Sequence, residues 1–302
     1  MPTSSYDQNG LEVVVDVLKT KARHLAGVVN RNKDRFGLQW EEDFNKVLNA
    51  VFHNQSDLEN ATRGYISFSN DSMRQQIRFQ KSREYEYKTF DEVSSKVYFD
   101  SEYMQSQYLP GLLLSHFLWP HHYAQLSYFR DQIKYLKPKS FIEIGVGTGI
   151  YSLFTLLAHP HVEGIGFDLS SSSLDFARQI MNAAGVGDRY SLHHADVTKN
   201  RISYEPDLVI SVELLEHLEN PEVFIRGFAS TMTKRSTGFL TAALNAAHTD
   251  HIFLYSSPDD LVNQIENAGL AIISQFHEYA YEGKSRAELV PSVAAFVVRN
   301  KC

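Results

Sequence analysis

Ser140-Phe-Ile-Glu-Ile-Gly-Val-Gly-Thr-Gly-Ile150 is the stretch that decides the fold. Phe141, Ile142 and Ile144 form a short apolar run rich in β-branched residues, suited to a strand buried on both faces of a parallel sheet. Gly145, Gly147 and Gly149 then permit a tight turn and let the backbone approach a ligand, with a helix expected from Ile150. Such a turn lies at the carboxyl end of its strand, where open α/β sheets bind their ligands. The glycines fall at alternate positions, unlike the Gly-x-Gly-x-x-Gly pattern of pyrophosphate sites, and Glu143 stands two residues before the first. A carboxylate there repels a pyrophosphate and suits a ligand carrying an ammonium or sulfonium group. Asp168, about 19 positions past Gly149, closes the apolar run from Val162 to Phe167 at the offset from which an acid accepts hydrogen bonds from ribose hydroxyls. Asp196 follows the next strand candidate.

These residues resemble the class I S-adenosylmethionine-dependent methyltransferase family. Its glycine motif is written (Asp/Glu)-x-Gly-x-Gly-x-Gly and here reads Glu143-Ile-Gly145-Val-Gly147-Thr-Gly149. The resemblance covers roughly Tyr123 to Val298 and rests on several motifs in the right order. It implies a doubly wound α/β fold with a seven-stranded, mostly parallel sheet of Rossmann-like methyltransferase type, closed by an antiparallel hairpin. It also implies S-adenosyl-L-methionine as cofactor and S-adenosyl-L-homocysteine as product. By the same resemblance Glu143, Gly145, Gly147 and Gly149 line the methionine end, Asp168 and Leu169 hold the ribose, and Asp196 with Val197 flank the adenine.

The block Ser211-Val-Glu213-Leu-Leu-Glu216-His217-Leu-Glu-Asn-Pro221 looks like the segment that follows the fourth strand in this family. Its place at a strand's carboxyl end puts Glu213 with the cofactor, Glu216 with the acceptor, and His217 either as a base or as a brace for the loop. A second polar cluster, Asn245-Ala-Ala-His248-Thr-Asp250-His251, follows the fifth strand. Asn245 and Asp250 are acceptor-contact candidates and His251 a candidate base. In the family the segment before the glycine strand often helps close the pocket, which adds Tyr123 and Tyr128 as substrate candidates. The pairs His121-His122 and His193-His194 lack spaced carboxylates, so no metal is expected.

A chain of 302 residues can bury one large core or two modest ones. Two regions are expected: a helical N-terminal part, 1–118, with a lid, substrate or dimer role, and a cofactor-binding domain, 119–302. In the first, Leu11, Val14, Val15, Leu18, Ala22, Leu25 and Val29 recur with helical spacing and predict one long helix. A second is expected from Trp40 to Phe52, and a third from a capping-box-like Ser56-Asp57-Leu58-Glu59, fading near Gly64. Residues 69–108 are rich in aromatics, among them Tyr85, Tyr98, Phe99, Tyr103 and Tyr108, and suit a lid over a pocket. From Ile150 onward helices and strands alternate, as a parallel sheet demands.

The formal charge of -7 with scattered basic residues argues against nucleic acid. No apolar run is long enough to span a membrane, the N-terminus (Met1 to Gly10) is polar, and the single cysteine, Cys302, fits a reducing compartment. The expectation is a cytoplasmic methyltransferase acting on a small molecule, an amino acid or a specialised metabolite, with a homodimer possible through the N-terminal helices. A non-catalytic binding or scaffold subunit of the same fold is the alternative. A nicotinamide-dependent oxidoreductase is the remoter one, disfavoured by the glycine spacing.

Overall fold

The computed structural model describes residues 9–94, 96–197, 204–285 and 287–301. The polar residues 1–8 and Cys302 lie outside them. Seven helices come first: α1 (Gly10–Lys21), α2 (Arg23–Val51), α3 (Gln55–Ser82), α4 (Phe90–Ser94), α5 (Ser101–Tyr103), α6 (Leu109–Leu118) and α7 (Pro120–Ile133). A π-helical turn, Met104–Tyr108, joins α5 to α6. Strands and helices then alternate: β1 (Ser140–Ile144), α8 (Ile150–Ala158), β2 (Glu163–Asp168), α9 (Ser171–Ala183), β3 (Tyr190–His194), β4 (Leu208–Ser211), α10 (Pro221–Thr231), β5 (Thr237–Leu244), α11 (Pro258–Asn267), β6 (Leu270–Tyr279) and β7 (Ser292–Asn300).

The seven strands lie in the order β3-β2-β1-β4-β5-β7-β6, with β7 antiparallel to both its neighbours and the others parallel. This is the doubly wound, seven-stranded sheet expected. From β1 the chain crosses outward to β2 and β3, then returns to the other side for β4. The connections leaving β1 and β4 therefore diverge above the sheet and leave a crevice at the strands' carboxyl ends.

Both faces of the sheet are buried, which is why its inner strands read as unbroken apolar runs. One face, through Ile142, Val209, Leu240 and Phe296, packs on Phe224, Phe228, Leu261 and Ile265 of α10 and α11. The other joins Phe141, Ile210 and Phe239 to Tyr151 and Phe129, and continues without interruption into Phe117, Phe44 and Trp40 of the N-terminal helices. The 1–118 region thus shares a core with the sheet. Its joints are polar as well as apolar: Asn32 Nδ2 donates to the carbonyls of Phe117 and Leu118 (2.8 and 3.1 Å) and Trp40 Nε1 to Phe117 (2.7 Å). Those carbonyls end α6, where no intrahelical donor remains to bond them.

Three sequence expectations change here. The helix drawn from Leu11 to Val29 is two, because Ala22 leaves the helical region (φ -150°, ψ 66°) between α1 and α2. Its N–H still reaches Leu18 O and its carbonyl still accepts from Leu25, so the break leaves both groups bonded. The helix drawn from Trp40 is the end of α2, which bends at Gly37 (φ 68°).

The third helix does not fade at Gly64; it starts at Gln55, capped by Asn54, and runs on to Ser82. Gly64 is there for close approach: a Cβ at this position would lie 2.5 Å from the carbonyl oxygen of Ser106 in the π-helical turn. Gly64→Ala gains about 1 kcal/mol in helix propensity. The backbone clash outweighs it, so a net loss of about 1–3 kcal/mol is expected in denaturant unfolding. An unchanged midpoint would contradict this contact.

Candidate active site

The glycine turn has the backbone its residues allow. Gly145, Gly147 and Gly149 all have positive φ (76°, 52° and 74°), and Gly149 caps α8 in the left-handed region. Gly145 and Val146 donate backbone N–H bonds to Phe167 O, and Gly147 N donates to Asp168 Oδ2 at 2.9 Å. Asp168 Oδ1 accepts from Ser170 N at 2.7 Å. Burial pushes the Asp168 carboxyl up, and the N–H groups of Gly147, Ser170 and Leu169 pull it back down.

Above this turn opens a cavity of about 1070 Å³. Glu143, Gly145, Gly147, Asp168, Leu169, Asp196 and Val197 line one end. Glu213, Glu216, His217, His248 and His251 lie along the loops that follow β4 and β5, and the N-terminal helices add an apolar roof that includes Phe68, Met73, Leu118 and Trp119. Tyr98, Phe99 and Tyr108 also line it, so the aromatic segment 69–108 does cover the pocket.

Glu143 is buried, accepting from Ser152 Oγ and, at 3.5 Å, from Tyr190 OH. Burial pushes its carboxyl up to about 8 against these donors. The neutral form is therefore the one that burial favours near neutral pH. That contribution to stability is complete below the ordinary glutamate range, near pH 4.5, and is lost as pH rises through about 8. Denaturant unfolding between pH 5 and 8.5 is expected to show this decline, and Glu143→Gln to flatten it; an unchanged slope would sink the assignment.

In the loop after β4 Glu213 has a positive φ of 47°, rare for a side chain of its size and held by Thr241. Glu213 N donates to Thr241 Oγ1 (2.9 Å), which donates back to Glu213 Oε1 (2.8 Å). Burial pushes Glu213 up to about 7. Glu216, beside it, is pushed well up by burial and then by the charge of Glu213.

Residues 142–240 match a family described as a methyltransferase domain. Over this third of its length the chain is similar to the class I S-adenosylmethionine-dependent methyltransferases. It is 27% identical over 158 residues to a ubiquinone biosynthesis O-methyltransferase of Azoarcus sp. (strain BH72), a match covering 46% of this chain and 67% of that relative. Other such relatives are matched over 64–65% of their length. Among solved structures, an O-methyltransferase family protein from Burkholderia thailandensis superposes with a TM-score of 0.56 at 12% identity, covering 80% of this chain and 72% of that one. Mitomycin 7-O-methyltransferase MmcR gives 0.54 at 13% identity, covering 82% and 71%. At those identities the two structures speak for the fold alone.

The lining residues fit S-adenosylmethionine. Asp168 offers a carboxylate at the end of β2 for the ribose, and Gly147 carries no side chain where the backbone meets the cavity. Glu143 lines the cavity, and its carboxyl would ionise beside a cationic group such as a sulfonium or ammonium, whose charge would offset the effect of burial. Gly149 is the exception in the motif: it is not a lining residue, and a Cβ there would meet Ala177 and Met181 of α9 at 3.1 Å. Its task is helix packing.

Four acceptor candidates from the sequence lie away from the lining. Tyr123 OH donates to Asp43 (2.8 Å), which also pairs with Arg130, so it ties α7 to α2. Tyr128 OH donates to Ser274 Oγ (2.6 Å) and its ring stacks on Phe276, behind the sheet edge. Asn245 spends its side chain on Ser256 O and its carbonyl on Gln76. Asp250 is wholly buried and accepts from Tyr98 OH (2.9 Å), Tyr108 OH (2.8 Å) and His248 (2.5 Å). Burial alone would raise its carboxyl; His217, His248 and His251 hold it well below the usual carboxylate range.

Glu216, His217 and His251, by contrast, do face the cavity together. His248, named in the sequence only as part of the cluster with Asp250, lines the cavity as well. His121 and His122 also line the cavity; burial pushes His121 down to about 3 and His122 well down, so both are neutral. His194 is bound to Leu169 O and His193 stacks on Phe167, which places that pair in the sheet edge.

Proposed function

We propose that this methyltransferase moves a methyl group from S-adenosylmethionine to a hydroxyl of a small, largely apolar molecule. When bound, the cofactor supplies an electrophilic methyl carbon on a sulfonium sulfur. The acceptor oxygen would take that carbon and would have to give up its hydroxyl proton to the protein or water. Glu143, Asp168, Asp196 and the glycine turn orient the donor. His217 and His251 stand where the acceptor's proton has to go, and Phe68, Met73, Leu118 and Trp119 shut out water.

The observation that carries this reading is that one cavity holds both the acids of the donor end and the histidines of the far end. Its apolar roof favours a hydrophobic metabolite over a free amino acid, and the O-methylating relative supports oxygen as the accepting atom. The division at 118 is read as a cap region over a catalytic domain. Pairing of two chains through the N-terminal helices, where Leu38 and Ile77 are exposed, and a cytoplasmic setting, supported by the single cysteine, belong to the same reading. Light scattering reads the mass. No described helix is long and apolar enough to cross a membrane.

The test is incubation with methyl-labelled donor and a cell extract fractionated by size. Label is expected in the small-molecule fraction. Label confined to protein or RNA would overturn the proposal.

A further inference from the structure

Glu216 is left without a role by donor binding alone. It is 0% exposed and lines the cavity, and neither carboxylate oxygen makes a hydrogen bond of good geometry among the described residues, its polar neighbours being the Glu213 carboxyl and the N–H groups of Glu216 and Ala243. The charge acting on it most strongly is that of Glu213, which is of like sign. A buried carboxylate in such a place calls for a proton or a cation.

His217 and His251 complete a cluster with it, one ligand-type atom of each residue lying within 4.8 Å of the others. Their tautomers follow from the backbone. His251 Nδ1 is 2.6 Å from Ala246 O, and His217 Nδ1 is 3.0 Å from Asp250 O. A carbonyl can only accept, so each Nδ1 carries a hydrogen, and in the neutral ring Nε2 is the nitrogen with a lone pair to give. Imidazoles that bind metal ions are oriented in this way, by a second partner on the other ring nitrogen. His248 repeats the arrangement, with Nδ1 on Asp250 Oδ1 and Nε2 buried without a partner. Asp250 already accepts from two phenols and His248, which makes it the cluster's orienting carboxylate.

We propose that Glu216, His217 and His251 hold a divalent first-row transition cation at the acceptor end of the cavity, with His248 beside them. Two imidazoles and a carboxylate suit Mn²⁺, Co²⁺ or Zn²⁺ better than Mg²⁺ or Ca²⁺, which favour all-oxygen sites. Three ligands leave positions open. The consequence rests on the methyl-transfer reading: there the cation positions the acceptor hydroxyl and makes its proton easier to lose. The sequence hid the site because its ligands come from two strand-end loops and share no spacing motif.

The test is titration of chelator-treated full-length protein with Mn²⁺, free ion being followed by electron paramagnetic resonance, and with Co²⁺ by its visible absorption. One equivalent should bind, with Co²⁺ bands that report imidazole nitrogen. Glu216→Gln and His251→Ala should each weaken binding at least about tenfold, while His161→Ala, outside the cluster, should not. Glu216→Gln suits a folded control because it keeps the size of the group. No stoichiometric binding of either ion, or binding indifferent to both cluster variants, overturns the proposal. Titration with S-adenosylhomocysteine is the separate check: donor product bound by a protein that takes up neither ion would end the cation proposal alone, and an ion bound by a protein that takes up no donor product would end the methyl-transfer reading alone.

Discussion

Asp168→Ala is expected to weaken S-adenosylhomocysteine binding by about 10²–10⁴-fold, measured by calorimetry. A half-buried carboxylate accepting from two ribose hydroxyls makes charge-assisted bonds of about 1.5–3 kcal/mol each, and each 1.4 kcal/mol is about tenfold. The protein has already oriented the group: Gly147 N and Ser170 N fix one oxygen each, at 2.9 and 2.7 Å. Each oxygen keeps a further lone pair for the ligand. Asp168→Asn, which keeps one acceptor but no charge, should fall between. Because Gly147 loses a partner in the Ala variant, the Asn variant guards against reading a collapsed turn as a lost contact. An affinity equal to the parent's in both would contradict the ribose assignment.

His217→Ala is expected to lower kcat by about 10²–10⁴-fold while leaving affinity for S-adenosylhomocysteine within about threefold. The ring stands in the loop after β4, with Nδ1 fixed by Asp250 O at 3.0 Å and a T-shaped contact to His251 at 4.8 Å. It is thus held with its other nitrogen unspent at the acceptor end. Removing it takes away a proton path, or a ligand of the proposed cation, without touching Asp168, Asp196 or the glycine turn. Single-turnover methylation with labelled donor measures the change. A fall in donor affinity as large as the fall in rate would mean that His217 belongs to the donor end instead.

The sheet was legible because its residues answer to local rules. A strand buried on both faces has to be apolar throughout, and a turn with three positive φ angles has to be glycine, so β1 and its loop announce themselves. The acid at the end of β2 follows from a fixed offset along the chain. The N-terminal helices obey tertiary demands that a single stripe of apolar residues does not carry. Gly64 reads as a helix end, yet it is a contact point for the turn at Ser106. Tyr123 and Tyr128 stand before the glycine strand in sequence, but α7 turns them toward Asp43 and Ser274 rather than into the cavity. The far-end cluster was only half visible. His217 and His251 were seen as separate residues, while their pairing with Glu216, and the anchoring of Asp250 by Tyr98 and Tyr108, depend on three segments distant in sequence.

The most direct measurement is a crystal structure of the complex with S-adenosylhomocysteine. The account predicts the adenosyl group above Gly145–Gly149, both ribose hydroxyls at about 3 Å from the Asp168 carboxylate, and the sulfur turned toward Glu213 and His217. Product bound elsewhere, or in this cavity with its ribose away from Asp168, would contradict it.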